Sequence, residues 1–327
     1  MSDIVTLAHG GGGRALRYLL EQHIGPAVGA DALRHDAAVI HDAGSTVAFT
    51  TDSFVVHPLA FPGGDIGRLA VCGTVNDLAM AGARPVALSL ALVLEEGLPL
   101  ADLDRYLASA AAAAAEAGVR IVTGDTKVVE RGRGHGVYAT TAGIGAVAEG
   151  VDIGPHRLAE GDVVLVSGDL GRHGAAILSV REGLGFSGAV PSDVAPVAAV
   201  ASELLQVADV HCLRDPTRGG LASVLEELAT GLDILVDEGA VPVHPTVRAA
   251  TELLGLDPLQ LACEGRFVAI VPADAAHDAL ALLQQHDPAA ARVGHLEAGH
   301  GSVWLADAFG GTRLLQRPWG DPLPRIC

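Results

Sequence analysis

From Thr46 onward, short β-branched apolar stretches alternate with longer helical ones, and this alternation restricts the chain to an α/β arrangement of layered sheets and helices. Thr46 to Thr51 reads as a strand ending in Asp52, and a helical stretch follows from Asp65 to about Gly82. Val86 to Leu94 reads as the next strand. It precedes a helix with Asp102 as cap and Gly118 as stop. Val119 to Thr123 then reads as a buried strand running into Gly124-Asp125-Thr126-Lys127, and a strand from Gly136 to Val147 leads to Gly154-Pro155. The boundary falls there, giving an N-terminal domain of residues 1–153 and a second α/β domain of residues 154–310.

The second domain restarts the alternation. Asp162 to Ser167, Arg266 to Val271 and Ser302 to Leu305 read as strands; Ala175 to Arg181, Pro191 to about Val207, Leu221 to Thr230 and Ala273 to Gln285 read as helical. Beyond Gly310-Gly311 the character changes. Pro318, Pro322 and Pro324 interrupt any periodicity, so residues 311–327 read as an extended, flexible tail that ends in Cys327.

With 21 Lys+Arg against 39 Asp+Glu, the formal net charge is −18, which argues against a nucleic-acid binder because phosphate backbones are held by basic surface. A hydrophobic content of 50% supplies a large core, and no long run of bulky apolar residues reads as a membrane span. The opening Met-Ser-Asp-Ile lacks the basic region of a secretory signal, so the expected location is cytoplasmic. Cys72, Cys212, Cys263 and Cys327 show no CxxC spacing, which supports neither a zinc site nor a disulfide framework.

Five aspartates end or punctuate strand-like segments: Asp36, Asp52, Asp77, Asp125 and Asp215. Carboxylates gathered at strand ends repel one another unless cations neutralise them, and hard oxygen ligands suit Mg²⁺ carrying a polyphosphate. Any one of them also reads as a turn or cap residue. His9-Gly10-Gly11-Gly12-Gly13 precedes a helical segment and offers converging backbone N–H groups to phosphate, or is simply a linker. Lys127 is the only lysine in a chain that otherwise uses arginine, and its Gly-Asp-Thr context favours a phosphate contact over a stray surface charge. Asp215-Pro216-Thr217-Arg218-Gly219-Gly220 opens a helix, with Thr217 or a neighbour as cap and loop amides facing a ligand. Glu264, just before an apolar strand, is a candidate general base or an ion-pair partner of Arg266. Cys327, on the proline-stiffened tail, is a candidate carrier thiol or an inert terminal residue.

The ordered series His9-Gly-Gly-Gly-Gly-Arg14, His35-Asp36-Ala-Ala38, Thr51-Asp52-Ser53, Asn76-Asp77-Leu-Ala-Met80, Gly124-Asp-Thr-Lys127, Asp215-Pro-Thr-Arg-Gly-Gly220 and Cys263-Glu-Gly265 resembles the ATP-using superfamily of aminoimidazole ribonucleotide synthetase, selenophosphate synthetase and thiamine-monophosphate kinase. The terminal Pro324-Arg325-Ile326-Cys327 narrows the resemblance to the carbamoyl dehydratases of hydrogenase maturation. Selenophosphate synthetases place a reactive Cys or selenocysteine beside a Lys in the glycine-rich loop, and this loop holds neither.

The resemblance spans essentially the whole chain. It implies a two-domain aminoimidazole ribonucleotide synthetase-like fold and a homodimer in which N-terminal domains pair their sheets. ATP and Mg²⁺ are the implied cofactors, with His9, Gly10 to Gly13, Asn76, Asp77, Thr126, Lys127, Thr217, Arg218 and Gly219 as nucleotide contacts and the five aspartates as metal ligands. It further implies that Cys327 carries a carbamoyl group loaded by a HypF-type carbamoyltransferase. ATP-dependent dehydration to a thiocyanate follows, with Glu264 and Lys127 at the reaction, and a HypC–HypD complex accepts the cyano group.

Overall fold

The structure, a computed structural model, describes residues 14–19, 21–22, 37–42, 45–183, 190–315 and 325–327. After α1 (Arg14–Leu19), the first half runs β1 (Ala38–Asp42), β2 (Ser45–Phe54), β3 (Ala60–Phe61), β4 (Gly64–Asp65), α2 (Ile66–Met80), β5 (Ala83–Glu95), α3 (Leu100–Glu116), β6 (Arg120–Val129) and β7 (Val137–Val147). The second half runs β8 (Val163–Val166), α4 (Arg172–Arg181), α5 (Ala198–Val207), β9 (Cys212–Arg214), α6 (Gly220–Leu228), β10 (Leu232–Asp237), α7 (Pro245–Leu254), β11 (Val268–Val271), α8 (Ala276–His286), β12 (Ala291–Ala298), β13 (Val303–Ala306) and β14 (Thr312–Leu314).

The first sheet has the order β1-β2-β7-β5-β6, antiparallel except for the parallel pair β5·β6. Helices α2 and α3 cover one of its faces. Helix α2 starts where the Asp65 carboxylate accepts the N–H groups of Gly67 and Arg68 at 2.9 and 3.0 Å, a cap whose loss costs about 1 kcal/mol. The two helices approach so closely that a Cβ on Gly67 would lie 1.9 Å from the Tyr106 carbonyl oxygen. The core beneath them contains Phe54, Leu69, Val75 and Leu88, with Leu90 and Leu92 at its margin.

Register decides which side chains share a face. Ala91 stands opposite both Asp125 and Thr140, Val93 opposite Lys127 and Tyr138, Ser53 opposite Thr140, and Phe49 opposite Ile144. Because directly paired residues project to the same side, these side chains form the outer face of the sheet. Thr50, Asp52 and Phe54 alternate with them and point inward, toward α2.

The second sheet has the order β14-β13-β10-β12-β8-β11-β9. Both of its faces are covered, so β8 and β11 are apolar at every position. Val164 and Val166 join the cluster under α6, whereas Val163 and Leu165 join the cluster under α5 and α8. Among the described residues no helix is long and apolar enough to cross a membrane.

Several sequence-based expectations change at this level. Gly124-Asp125-Thr126-Lys127 is the middle of β6 instead of a loop after it. The glycine permits this, since a Cβ on Gly124 would meet the Leu90 carbonyl at 2.1 Å beside the register shift in β5·β6. Asp102 lies in the first turn of α3, paired with Arg105 at 3.1 Å, and Pro99 occupies the cap position. Residues 191–197 precede α5 in irregular backbone. The segment after Gly311 still contributes β14, paired with β13. Strands β9, β10 and β12 and helix α7 have no counterpart in the sequence reading.

Candidate active site

A cleft of about 240 Å³ opens between the first sheet and the second domain, lined by Asp52, Asp77, Asp215, Arg218, Glu264 and Cys327 among others. Three of the five expected aspartates therefore converge, and each arrives by a different route. Asp52 projects from the inner face of β2, and Ser53 N–H donates to its Oδ1 at 2.7 Å. Asp77 sits near the end of α2, where its Oδ2 accepts from the Thr50 hydroxyl at 2.8 Å. Asp215 follows β9 and begins the loop into α6.

That loop needs its paired glycines. Gly219 and Gly220 both have positive φ, +78° and +60°, a conformation that side chains resist. A Cβ on Gly220 would also lie 2.5 Å from the Leu259 carbonyl oxygen. Gly219 stands at the cap of α6 and no side chain caps that helix, so the capping role expected of Thr217 is not seen. Thr217 and Arg218 line the cleft directly, and Gly219 underlies the Ser223 hydroxyl.

Glu264 is 3% exposed, and its Oε1 has no hydrogen-bond partner. Burial pushes its carboxyl well above the usual carboxylate range. The nearby Asp215, Asp193 and Asp52 push the same way, against a weaker pull from Arg218. Asp52 is also raised, by burial, with Arg218 and the Ser53 N–H opposing. A buried acid at high pKa among other acids is what a proton-transfer group requires. The backbone holds Glu264 firmly: its N–H donates to Asp193 Oδ1 at 3.1 Å, and its carbonyl accepts from Asn76 Nδ2 at 3.2 Å.

Asn76 thus does not reach the cleft. Its amide also donates to the Ala195 carbonyl at 3.0 Å and accepts from Val197 N–H at 2.8 Å, which makes it a brace between α2 and the second domain. Glu264 does not pair with Arg266, whose guanidinium bonds Asp169 and Asp287 at 3.1 and 2.9 Å.

Asp125, Thr126 and Lys127 do not line the cleft either. Lys127 Nζ pairs with Asp125 at 2.6 Å on the exposed edge strand β6, and this contact holds the Asp125 carboxyl below its usual range. The reason is geometric for the pair: Asp125 and Lys127 lie on the outer face of the sheet, whereas Asp52 lies on the inner one; Thr126, opposite Leu92, alternates to the inner side but sits on the exposed edge strand, away from the cleft. His9, Gly10 to Gly13 and Asp36 lie outside the described residues.

The tail places Cys327 in the cleft. Val55 N–H donates to the Cys327 main-chain oxygen at 3.2 Å and His57 N–H to the Arg325 carbonyl at 3.1 Å, a short antiparallel match with the chain after β2. Ile326 is 2% exposed and belongs to the core cluster that includes Phe61, Ile177 and Leu261. The sequence reading missed this anchorage and missed Ser223, a buried hydroxyl in the cleft without a hydrogen-bond partner. A serine inside an amphipathic helix carries no signal of its own.

Among the described residues no three His, Cys, Asp or Glu side chains form a ready-made metal centre. The donor set is nevertheless the oxygen-rich kind that suits Mg²⁺, an ion that takes one or two carboxylates and completes its shell with water and phosphate oxygens. Asp52, Asp77 and Asp215 fit an ion that arrives with a nucleotide.

Residues 34–147 match the family model for the AIR synthase related protein N-terminal domain, and residues 159–305 match that for the C-terminal domain. The two-domain fold with its shared cleft is therefore that of the AIR synthase related proteins. Carbamoyl dehydratase HypE of Azotobacter vinelandii is 48% identical over 331 residues, spanning 99% of this chain and 97% of its own. A crystal structure of hydrogenase maturation protein HypE in complex with ATP shares 45% identity at a TM-score of 0.84, covering 99% of this chain and 100% of that one. HypE in a HypE–HypF complex gives 42% identity and a TM-score of 0.88, covering 92% of this chain and 99% of that one. The chain belongs to the HypE family of carbamoyl dehydratases.

Proposed function

We propose that this chain converts an S-carbamoyl group on its own Cys327 to a thiocyanate with ATP, supplying cyanide ligands for the iron of a [NiFe] hydrogenase. The observation that carries the reading is the presence of Cys327 in one cleft with buried Glu264 and three aspartates. An amide oxygen is a poor leaving group. Its attack on the γ-phosphorus of ATP breaks the bond to ADP and makes the oxygen part of a phosphate. Loss of the two nitrogen-bound protons and departure of phosphate from carbon then leave S–C≡N, so that carbamoyl and ATP become thiocyanate, ADP and phosphate.

Glu264 is the base for a nitrogen proton, its basicity raised by burial and neighbouring acids. Asp52, Asp77 and Asp215, with Asp36, would hold Mg²⁺, which neutralises phosphate charge when bound. Thr217, Arg218 and Gly219, together with His9 and Gly10 to Gly13, face the phosphates in this reading. The tail makes the reaction intramolecular, replacing an encounter with proximity.

Lys127 and Asp125 act in the cleft of a second copy. The outer face that carries them also exposes Phe49, Ile144 and Val93, at 43%, 45% and 36%, an apolar surface suited to pairing sheet against sheet. The protein is thus a homodimer with shared sites, working in the cytoplasm. A HypF-type carbamoyltransferase loads Cys327, and a HypC–HypD complex takes the cyano group. ADP release that depends on a carbamoylated Cys327 tests the reading; equal release from unloaded chain contradicts it.

A further inference from the structure

The tail is held in the cleft by a side chain that no catalytic role requires. His173, in the first turn of α4, is fully buried, its ring edge-on to Phe61 at 5.2 Å between centroids. Its Nε2 lies 2.7 Å from the Ile326 carbonyl oxygen and its Nδ1 lies 2.8 Å from Ser192 Oγ. A carbonyl oxygen can only accept, so Nε2 carries the hydrogen. In the neutral ring Nδ1 is then a lone pair, and the Ser192 hydroxyl donates to it while accepting Val194 N–H at 3.1 Å. The donors and acceptors of this relay are all matched with the ring uncharged.

A second ring proton would place a cation in the core. Burial is the main cause that disfavours it; the Ile326 carbonyl, accepting from Nε2, pulls the other way, the Arg181 guanidinium adds to the burial, and the net result holds the His173 pKa down at about 4. Arg181 is itself part of the clasp, donating to the His57 carbonyl at 2.6 Å and to the Arg325 carbonyl. Once Ile326 leaves, the face of the ring that it covers opens to water.

We propose that His173 is a positioning residue that seats Cys327 in the cleft only while its ring is neutral, so that undocking of the tail is coupled to proton uptake. The proposal rests on the reading of Cys327 as the carrier thiol, and gives the carrier a release that depends on pH. The sign follows from the two states. His173 is held at about 4 when docked and returns toward its ordinary 6.5 when exposed, so docking is strongest above 6.5 and weakens as pH falls from there toward 4. His57 faces the docked tail too, lowered by partial burial and by Arg325, Arg181 and His135, and contributes with the same sign.

Hydrogen exchange on the full chain tests this at the Val55 and His57 amides, which donate to the Cys327 and Arg325 oxygens. A His57→Gln background removes the second histidine's contribution. After correction for intrinsic rates, protection of these amides in that background should fall roughly tenfold or more from pH 7 to pH 5. It should stay level when His173→Asn is added, since asparagine keeps an N–H donor and cannot titrate. Level protection in the His57→Gln chain overturns the proposal, and that profile decides even if the double variant does not fold. The readout is tail docking, not turnover, so a negative result leaves the dehydratase reading intact.

Discussion

Asp52 and Lys127 project from opposite faces of the same five-stranded sheet: Asp52 points inward from β2 to the cleft, and Lys127 stands opposite Val93 on the outer face of β6. One chain cannot bring them together without dismantling the sheet. Mixing inactive Lys127→Ala and Glu264→Gln chains should therefore restore turnover. Each heterodimer keeps one cleft with both residues, so an equal mixture that exchanges freely should regain about a quarter of wild-type activity. Exchanged dimers without any recovery would place Lys127 in its own chain's cleft or outside the reaction.

This relationship also marks how far the sequence could be read. The helical stretch from Asp65, the apolar run at β8 and the Asp-Pro-Thr-Arg-Gly-Gly turn are local signals, and the elements they announce are present. Which face of a strand a residue occupies depends on register with strands far away in sequence. For that reason Asp52 and Asp125 looked equivalent and are not. The position of Asn76 was hidden for a similar cause: its partners, Ala195, Val197 and Glu264, lie over a hundred residues away. Ile326 looked like part of a free tail because nothing nearby in sequence announces its berth beside His173.

Glu264 is maintained at a cost to stability. A carboxyl whose folded pKa is raised takes up a proton on folding, so it weakens the fold increasingly as pH rises above its unfolded value near 4.5. Glu264→Gln should raise the Tm by a few °C at pH 8 and by less at pH 5. Thermal unfolding at the two pH values measures this. An equal Tm gap at both would show that the acid is not strained by its surroundings.

Gly265 is the seam between Glu264 and the second domain. A Cβ there would lie 1.9 Å from the Asp193 carbonyl oxygen and 2.9 Å from Ala195 N, so alanine must push these segments apart. Gly265→Ala should cost about 1–3 kcal/mol of stability. Dehydration should also fall, even at temperatures where the variant is folded, because the Glu264 N–H to Asp193 contact at 3.1 Å is displaced. Denaturant unfolding and turnover check both, and wild-type values would contradict the tight contact.

Cys327 is the centre of the account, and mass spectrometry of the intact chain reads it directly. Carbamoylated Cys327 incubated with Mg-ATP should lose the mass of one water, and Glu264→Gln should retain the carbamoyl form while still binding nucleotide. A wild-type chain that turns over ATP yet keeps its carbamoyl group unchanged would contradict the proposed reaction.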